Sequence, residues 1–287
     1  MNDDTKQAVG EVVDKAVEAA EEAVQKPGVQ NLARLGFYSK GFLFIVIGGL
    51  ALLLVFGIDG GKITDAAGAL ATIADTRYGK IFLIVFIAGA VGHGIWNILR
   101  GAADVDNAGK GWQGIIKRSV AVGLGVFYLG LAIAALEIVL SATRGPKSSQ
   151  AEETFIAILI AIPLFGSLFL GLVGIGVIIG GASECYNGLS GKFQENYKLW
   201  KISGIHLFFI KVLGIFSFSA RAVLLIILGI FFVRAALFGE GGAVGLDAAL
   251  MTLVKSGYGQ TLVFLAAIGL VGHGILAFYE AKYRHIC

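Results

Sequence analysis

Two histidines of this chain stand in one five-residue setting. Val91-Gly92-His93-Gly94-Ile95 returns as Val271-Gly272-His273-Gly274-Ile275 near the C-terminal end. Imidazole changes charge near neutral pH and is a common metal ligand. A matched pair can therefore relay protons or small ions along a hydrated path. It can also ligate haem iron, a pigment or another metal, with the flanking glycines letting a flat macrocycle approach the backbone. In the plainest role, each ring hydrogen-bonds to a neighbouring helix and fixes its packing. Residue types alone leave all three open, but two histidines speak against a symmetric three-ligand metal site. One turn beyond the histidine position stand Asn97 and, in a middle stretch with Gly180-Gly181 instead of His-Gly, Glu184. Either polar group can orient an imidazole on a neighbouring helix. Glu137 and Arg234, near the far ends of apolar stretches, can pair with one another or reach outer headgroups.

The match reaches beyond the histidines. Leu70, Thr72, Tyr78-Gly79 and Gly89 reappear as Leu250, Thr252, Tyr258-Gly259 and Gly269, all at the offset that separates His93 from His273. A constant offset over long apolar stretches is the signature of a duplicated structural unit. The chain is 56% hydrophobic and only 15% charged, with a mean hydropathy of +0.81. A hydrocarbon core takes roughly 20 apolar residues to cross as a helix. Six such spans are expected, near Phe42–Ile58, Ile81–Arg100, Val120–Leu140, Phe155–Gly181, Ala222–Leu237 and Thr261–Tyr279. Counted from Ile81 and Thr261 at about 1.5 Å per residue, the histidines lie roughly 18 Å deep, slightly past the bilayer midplane. There an ionisable residue is a functional candidate by default. The 42 glycines suit close helix approach, since association in lipid relies on small residues.

These features predict an all-α, polytopic helical membrane protein, with six transmembrane helices forming three parallel-oriented two-helix repeats in a pseudo-threefold bundle. The expected divisions are an acidic amphipathic segment (1–30), repeat 1 (31–107), a divergent repeat 2 (108–190), and repeat 3 (191–287). The last begins with an apolar stretch, Ile202–Phe216, expected to lie on the leaflet as an interfacial helix. Thr64-Asp65-Ala66-Ala67 and Leu246-Asp247-Ala248-Ala249 each open a short helix, with Asp65 and Asp247 as caps or first-turn acids. The stretch 1–26 carries seven acids and three lysines. That balance suits a protein partner or the chain's own basic loops better than an anionic leaflet.

Sixteen Lys and Arg fall on the side of the termini and seven on the other. The positive-inside rule then places both termini in the cytoplasm of an inner membrane, with Cys185 and Cys287 on the reducing side. The segment from Met1 to Gln30 lacks the apolar core of a secretory signal, so the N-terminus is expected to be retained. Lys192, Lys198, Lys201 and Lys211 favour anionic lipid. No Walker sequence, His-Glu-x-x-His, Cys-x-x-Cys or intramembrane carboxylate dyad occurs. A non-enzymatic component acting through protein or lipid contacts is therefore the expected class, with no nucleic-acid partner.

The opening Ala33-Arg34-Leu35-Gly36-Phe37, the Asp-Ala helix from Asp65, Tyr78-Gly79, and a second span with Gly89, Gly92 and Gly94 resemble the uncharacterised bacterial membrane family known as domain of unknown function 1206. The resemblance runs from Leu32 onward, strongest in the first and third hairpins and weak in the second. It implies six membrane helices in three repeats and no activity.

Overall fold

The structure is a computed structural model. It describes residues 25–105, 107–109, 111–140, 165–238, 250–251, 254 and 257–284, with five more between 15 and 23. Most of the acidic N-terminal segment, Asp247 and Cys287 lie outside the described residues. Among those described, the order is α1 (Pro27–Val55), α2 (Ala66–Ala74), α3 (Gly79–Ala102), α4 (Trp112–Leu140), α5 (Phe165–Ser190), α6 (Gly204–Phe238) and α7 (Gly259–Tyr283). Two short 3-10 turns, Lys192–Asn196 and Leu199–Lys201, join α5 to α6. All but α2 are long and apolar enough to cross a membrane.

Local chemistry sets the ends of these elements. Pro27 occupies the first turn of α1, where its missing N–H would have no partner in any case. Asp65 caps α2 by accepting from Gly68 N at 2.7 Å. Tyr78 and Tyr258 precede α3 and α7 with nearly the same backbone angles, and both are exposed. Exposed tyrosine at a helix start suits the membrane–water boundary. The α6 helix corrects one expectation, because Ile202–Phe216 does not form a separate interfacial helix. It supplies most of the first part of a continuous 35-residue helix, about 52 Å long and well beyond the hydrocarbon thickness. No proline interrupts it, and at Gly214 the space a Cβ would need is taken by the Phe193 ring.

The closest packing joins α3 to α4, α5 to α6, and α7 to α1. Each pair links the second long helix of one expected hairpin to the first of another. One contact recurs in all three. A Cβ at Gly94 would strike Gly125 O, one at Gly181 would meet Ala222 O, and one at Gly274 would strike Gly41 O. Within hairpins, α1 packs on α3 and α6 on α7. In the middle hairpin, α4 and α5 are not packed together among the described residues. The main core runs between α1, α2, α3, α4, α6 and α7, through Leu43, Ile47, Leu70, Leu83, Phe86, Leu131, Leu224, Leu250 and Val263. No described residue of α5 belongs to it.

These contacts predict opposite outcomes for two glycines. Gly274→Val should lower stability by about 1–3 kcal/mol, the usual cost of overpacking. Gly180→Ala should be neutral or slightly stabilising, because nothing lies within 4 Å of its Cβ position and alanine favours helix over glycine. Unfolding of detergent-solubilised protein in increasing SDS would measure both.

Candidate functional site: a buried charged base

The base of the bundle is the end where α1, α4 and α6 begin and α3, α5 and α7 finish. His93 and His273 are buried just above it. Each imidazole is wedged between two aromatic rings from flanking helices. His93 meets Phe37 at 4.9 Å and Tyr128 at 4.5 Å between centroids. His273 meets Phe44 at 4.9 Å and Phe218 at 5.8 Å. All four contacts are edge-to-face, the geometry favoured by ring quadrupoles. The corresponding Gly180 on α5 has open space instead.

The flanking glycines admit neighbouring backbones and side chains. A Cβ at Gly92 would meet Leu32 O, and one at Gly272 would meet the Ser217 hydroxyl. Gly94 and Gly274 make the carbonyl contacts described above. These approaches, with the rings around each imidazole, leave no room for a flat macrocycle beside the histidines without displacing a helix.

Two ionic clusters surround the histidines. Arg221 of α6 donates through Nη1 to His273 Nε2 and through Nη2 to Glu184 Oε1. A guanidinium has no acceptor, so Nε2 must accept, and the proton of a neutral ring sits on Nδ1. The second cluster centres on Glu280 of α7, which takes Lys40 Nζ at 3.3 Å and Arg284 Nη1 at 2.9 Å. Both cations lie over the Phe37 ring, at 6.0 and 5.3 Å. Arg221 and Glu184 are near enough to act electrostatically on Lys40, so the two clusters share one field. Among the described residues, several buried polar atoms at the base have no protein partner: Nδ1 of both histidines, Ser217 Oγ, Trp96 Nε1 and Glu184 Oε2.

The base also ties chain segments together. Arg34 donates to the carbonyls of Ala281 and Lys282, and Arg118 to those of Gly101 and Ala102. The two acceptor pairs occupy equivalent positions in the repeat. Each arginine thus satisfies terminal carbonyls of the adjacent helix and complements its dipole. Beyond the spans, Lys198 N donates to Tyr283 O at 2.8 Å, beside a bridge between Tyr197 and Arg284. Burial pushes the Tyr197 phenol well above its ordinary range, and the nearby Glu280 carboxylate adds to the rise.

The remaining candidates divide clearly. Glu184 reaches an imidazole on another helix, with Arg221 between them. Asn97 does not, since its Nδ2 donates at 2.7 Å to the carbonyl of His93 in its own helix. Glu137 and Arg234 are exposed in the last turns of α4 and α6, at the end opposite the base. Sequence reasoning missed Lys40, Arg221, Glu280 and Arg284 as site residues and counted three of these cations among loop and tail charges. A signal was present, because Phe37-Tyr38-Ser39-Lys40 and Phe218-Ser219-Ala220-Arg221 both end on a cation.

Residues 35–104 and 216–284 match the family described as Domain of Unknown Function (DUF1206). Both regions are thus similar to that family. They hold His93 and His273 with most of the charged base, while α4 and α5 fall between them. An uncharacterized protein of Bacillus subtilis (strain 168), YxxB, is 28% identical over 262 residues, covering 91% of this chain and 93% of that protein. No solved structure matches.

A buried ion pair is costly to break from one side, because the remaining charge is stranded. Arg221 and Glu184 are partly buried, so Arg221→Met should lower stability by up to about 3 kcal/mol. Adding Glu184→Gln should restore a large part of that loss. A double-mutant cycle from unfolding curves would give the coupling, and additive losses would show that the pair does not interact.

Proposed function

We propose that this integral membrane protein is a non-enzymatic accessory or scaffold subunit, holding another membrane polypeptide at the seam between α4 and α5. The observation that carries this reading is a glycine face left without a partner among the described residues. In the first matched region a Cβ at Gly89 would strike Ser39, and in the second one at Gly269 would strike Ala220. In the middle hairpin the corresponding positions are Gly176 and Gly123, and neither has anything within 4 Å. Small-residue faces are what membrane helices use to approach one another. The proposed occupant is a partner's transmembrane helix with a small-residue stripe of its own. On this reading the chain consists of three related hairpins, the middle one opened for a partner, with base and termini in the cytoplasm.

A photoreactive residue at position 172, an exposed site one turn from Gly176 on α5, activated in native membranes, should cross-link a second polypeptide. Gly176→Leu should abolish that product while leaving the bundle's stability unchanged. Cross-links to lipid alone would remove the reading. So would rapid, complete disulfide formation in the isolated protein between cysteines placed at 123 and 176, because α4 and α5 would then close on each other.

A second reading, a proton or small-ion pathway through His93 and His273, is favoured by their unpartnered Nδ1 atoms. The apolar core above the base weighs against it, since Leu43, Ile47, Leu83, Phe86 and Leu270 fill the space between helices. Liposome flux that falls when both histidines become alanine would establish this path. Unchanged flux would dispose of it.

A further inference from the structure

Between the end of α3 and the start of α4 lies an open cleft of about 510 Å³, lined by Gly101, Ala102, Ile115, Arg118, Ser119 and Val122. A smaller recess adjoins it, walled by Arg100, Asp104 and Lys117. Arg118 binds the α3 carbonyls through Nε and Nη2, so Nη1 takes no part in those bonds. The acid at the rim is already engaged, as Asp104 accepts from Ala108 N at 2.8 Å and Gly109 N at 2.9 Å. The cleft therefore presents net positive charge and a hydroxyl at one end and apolar wall at the other.

Its level in the membrane follows from α4. Trp112 opens that helix and is exposed, as expected of tryptophan at the headgroup level. Arg118 follows within the next two turns, about 9 Å deeper, where headgroup gives way to hydrocarbon. Val122 and the exposed Val126 continue inward at the four-residue spacing that shares a helix face.

The matching place between α7 and α1 is filled. There Arg34 caps Ala281 and Lys282, but Tyr38 and Phe278 lie against each other with 5.8 Å between ring centroids. One turn after Arg118 stands Val122, where Tyr38 follows Arg34, and Ile98 holds on α3 the repeat position that Phe278 holds on α7. Two rings have been replaced by two aliphatic side chains, one of which, Val122, lines the cleft.

We infer that this cleft binds one anionic phospholipid. Its phosphate takes Lys117 and the Nη1 side of Arg118, with Ser119 donating, and one acyl chain runs along Val122 and Val126. Basic pockets between membrane helices recognise anionic headgroups in this way, and the bidentate fork of arginine suits phosphate oxygens. The site is independent of the α4–α5 seam and of any partner there.

The test is native mass spectrometry of delipidated protein titrated with phosphatidylglycerol, phosphatidylcholine or inorganic phosphate. Wild type should hold one phosphatidylglycerol at least tenfold more tightly than phosphatidylcholine, and millimolar phosphate should not displace it. Val122→Tyr, which restores a ring while keeping Arg118 and its cap, should weaken binding at least tenfold. Lys117→Gln, on an exposed side chain, should weaken it about fivefold. Equal affinity for the two lipids, or wild-type binding by both variants, would overturn the inference. Displacement by phosphate alone would overturn the role of the acyl chain.

Discussion

Every tight helix pair in this bundle rests on one backbone lying against another. Gly94 on Gly125, Gly181 on Ala222 and Gly274 on Gly41 bring a helix within reach of a neighbouring carbonyl. In lipid, burying leucine between helices gains little, because the hydrocarbon outside is equally apolar. What remains is dispersion, which falls steeply with distance, so close approach matters more than in a soluble core. The rest of the architecture follows from these three crossings. They set which rings flank each histidine, which carbonyls fall to Arg34 and Arg118, and how near Arg221 comes to Glu184.

That closeness also explains how so many charges can be kept inside apolar helices. Glu184 and Glu280 each meet a guanidinium or ammonium from an adjacent helix, and Arg221 meets both an acid and an imidazole. Such chains add little net stability over well-packed apolar residues. They do make one arrangement of helices far better than a slipped one, because any shift in register strands a charge. The histidines then read as parts of an interlocking base, held by rings on two sides.

The sequence made much of this legible. The offset between the two histidine motifs identified equivalent helices, and Leu70 and Leu250 are indeed both fully buried. Asp65 caps its helix as its position implied. Other features were not legible, for physical reasons. Lys40 and Arg221 look like flanking loop cations because nothing local reveals a carboxylate on another helix. Adjacency in the chain marks the hairpins but not which helices lie closest, and the closest packing passes from one hairpin to the next. The separation of α4 from α5 among the described residues arises from a contact not made, and α5 carries at Gly176 the same glycine that the closed pairs carry at Gly89 and Gly269.

The pairing of α1 with α7 carries a consequence for biosynthesis. Among the described helices, α1 finds its closest neighbour, α7, only when about 200 further residues have been made. At about 5–20 residues per second, the roughly 200 residues between them take about 10–40 seconds to synthesise. Throughout that interval the Gly41 and Gly48 face of α1 and the ammonium of Lys40 must be sheltered by something other than Gly274 and Glu280. The bundle is therefore vulnerable while it is being made, and the arrival of α7 both closes its packing on α1 and neutralises the Lys40 charge.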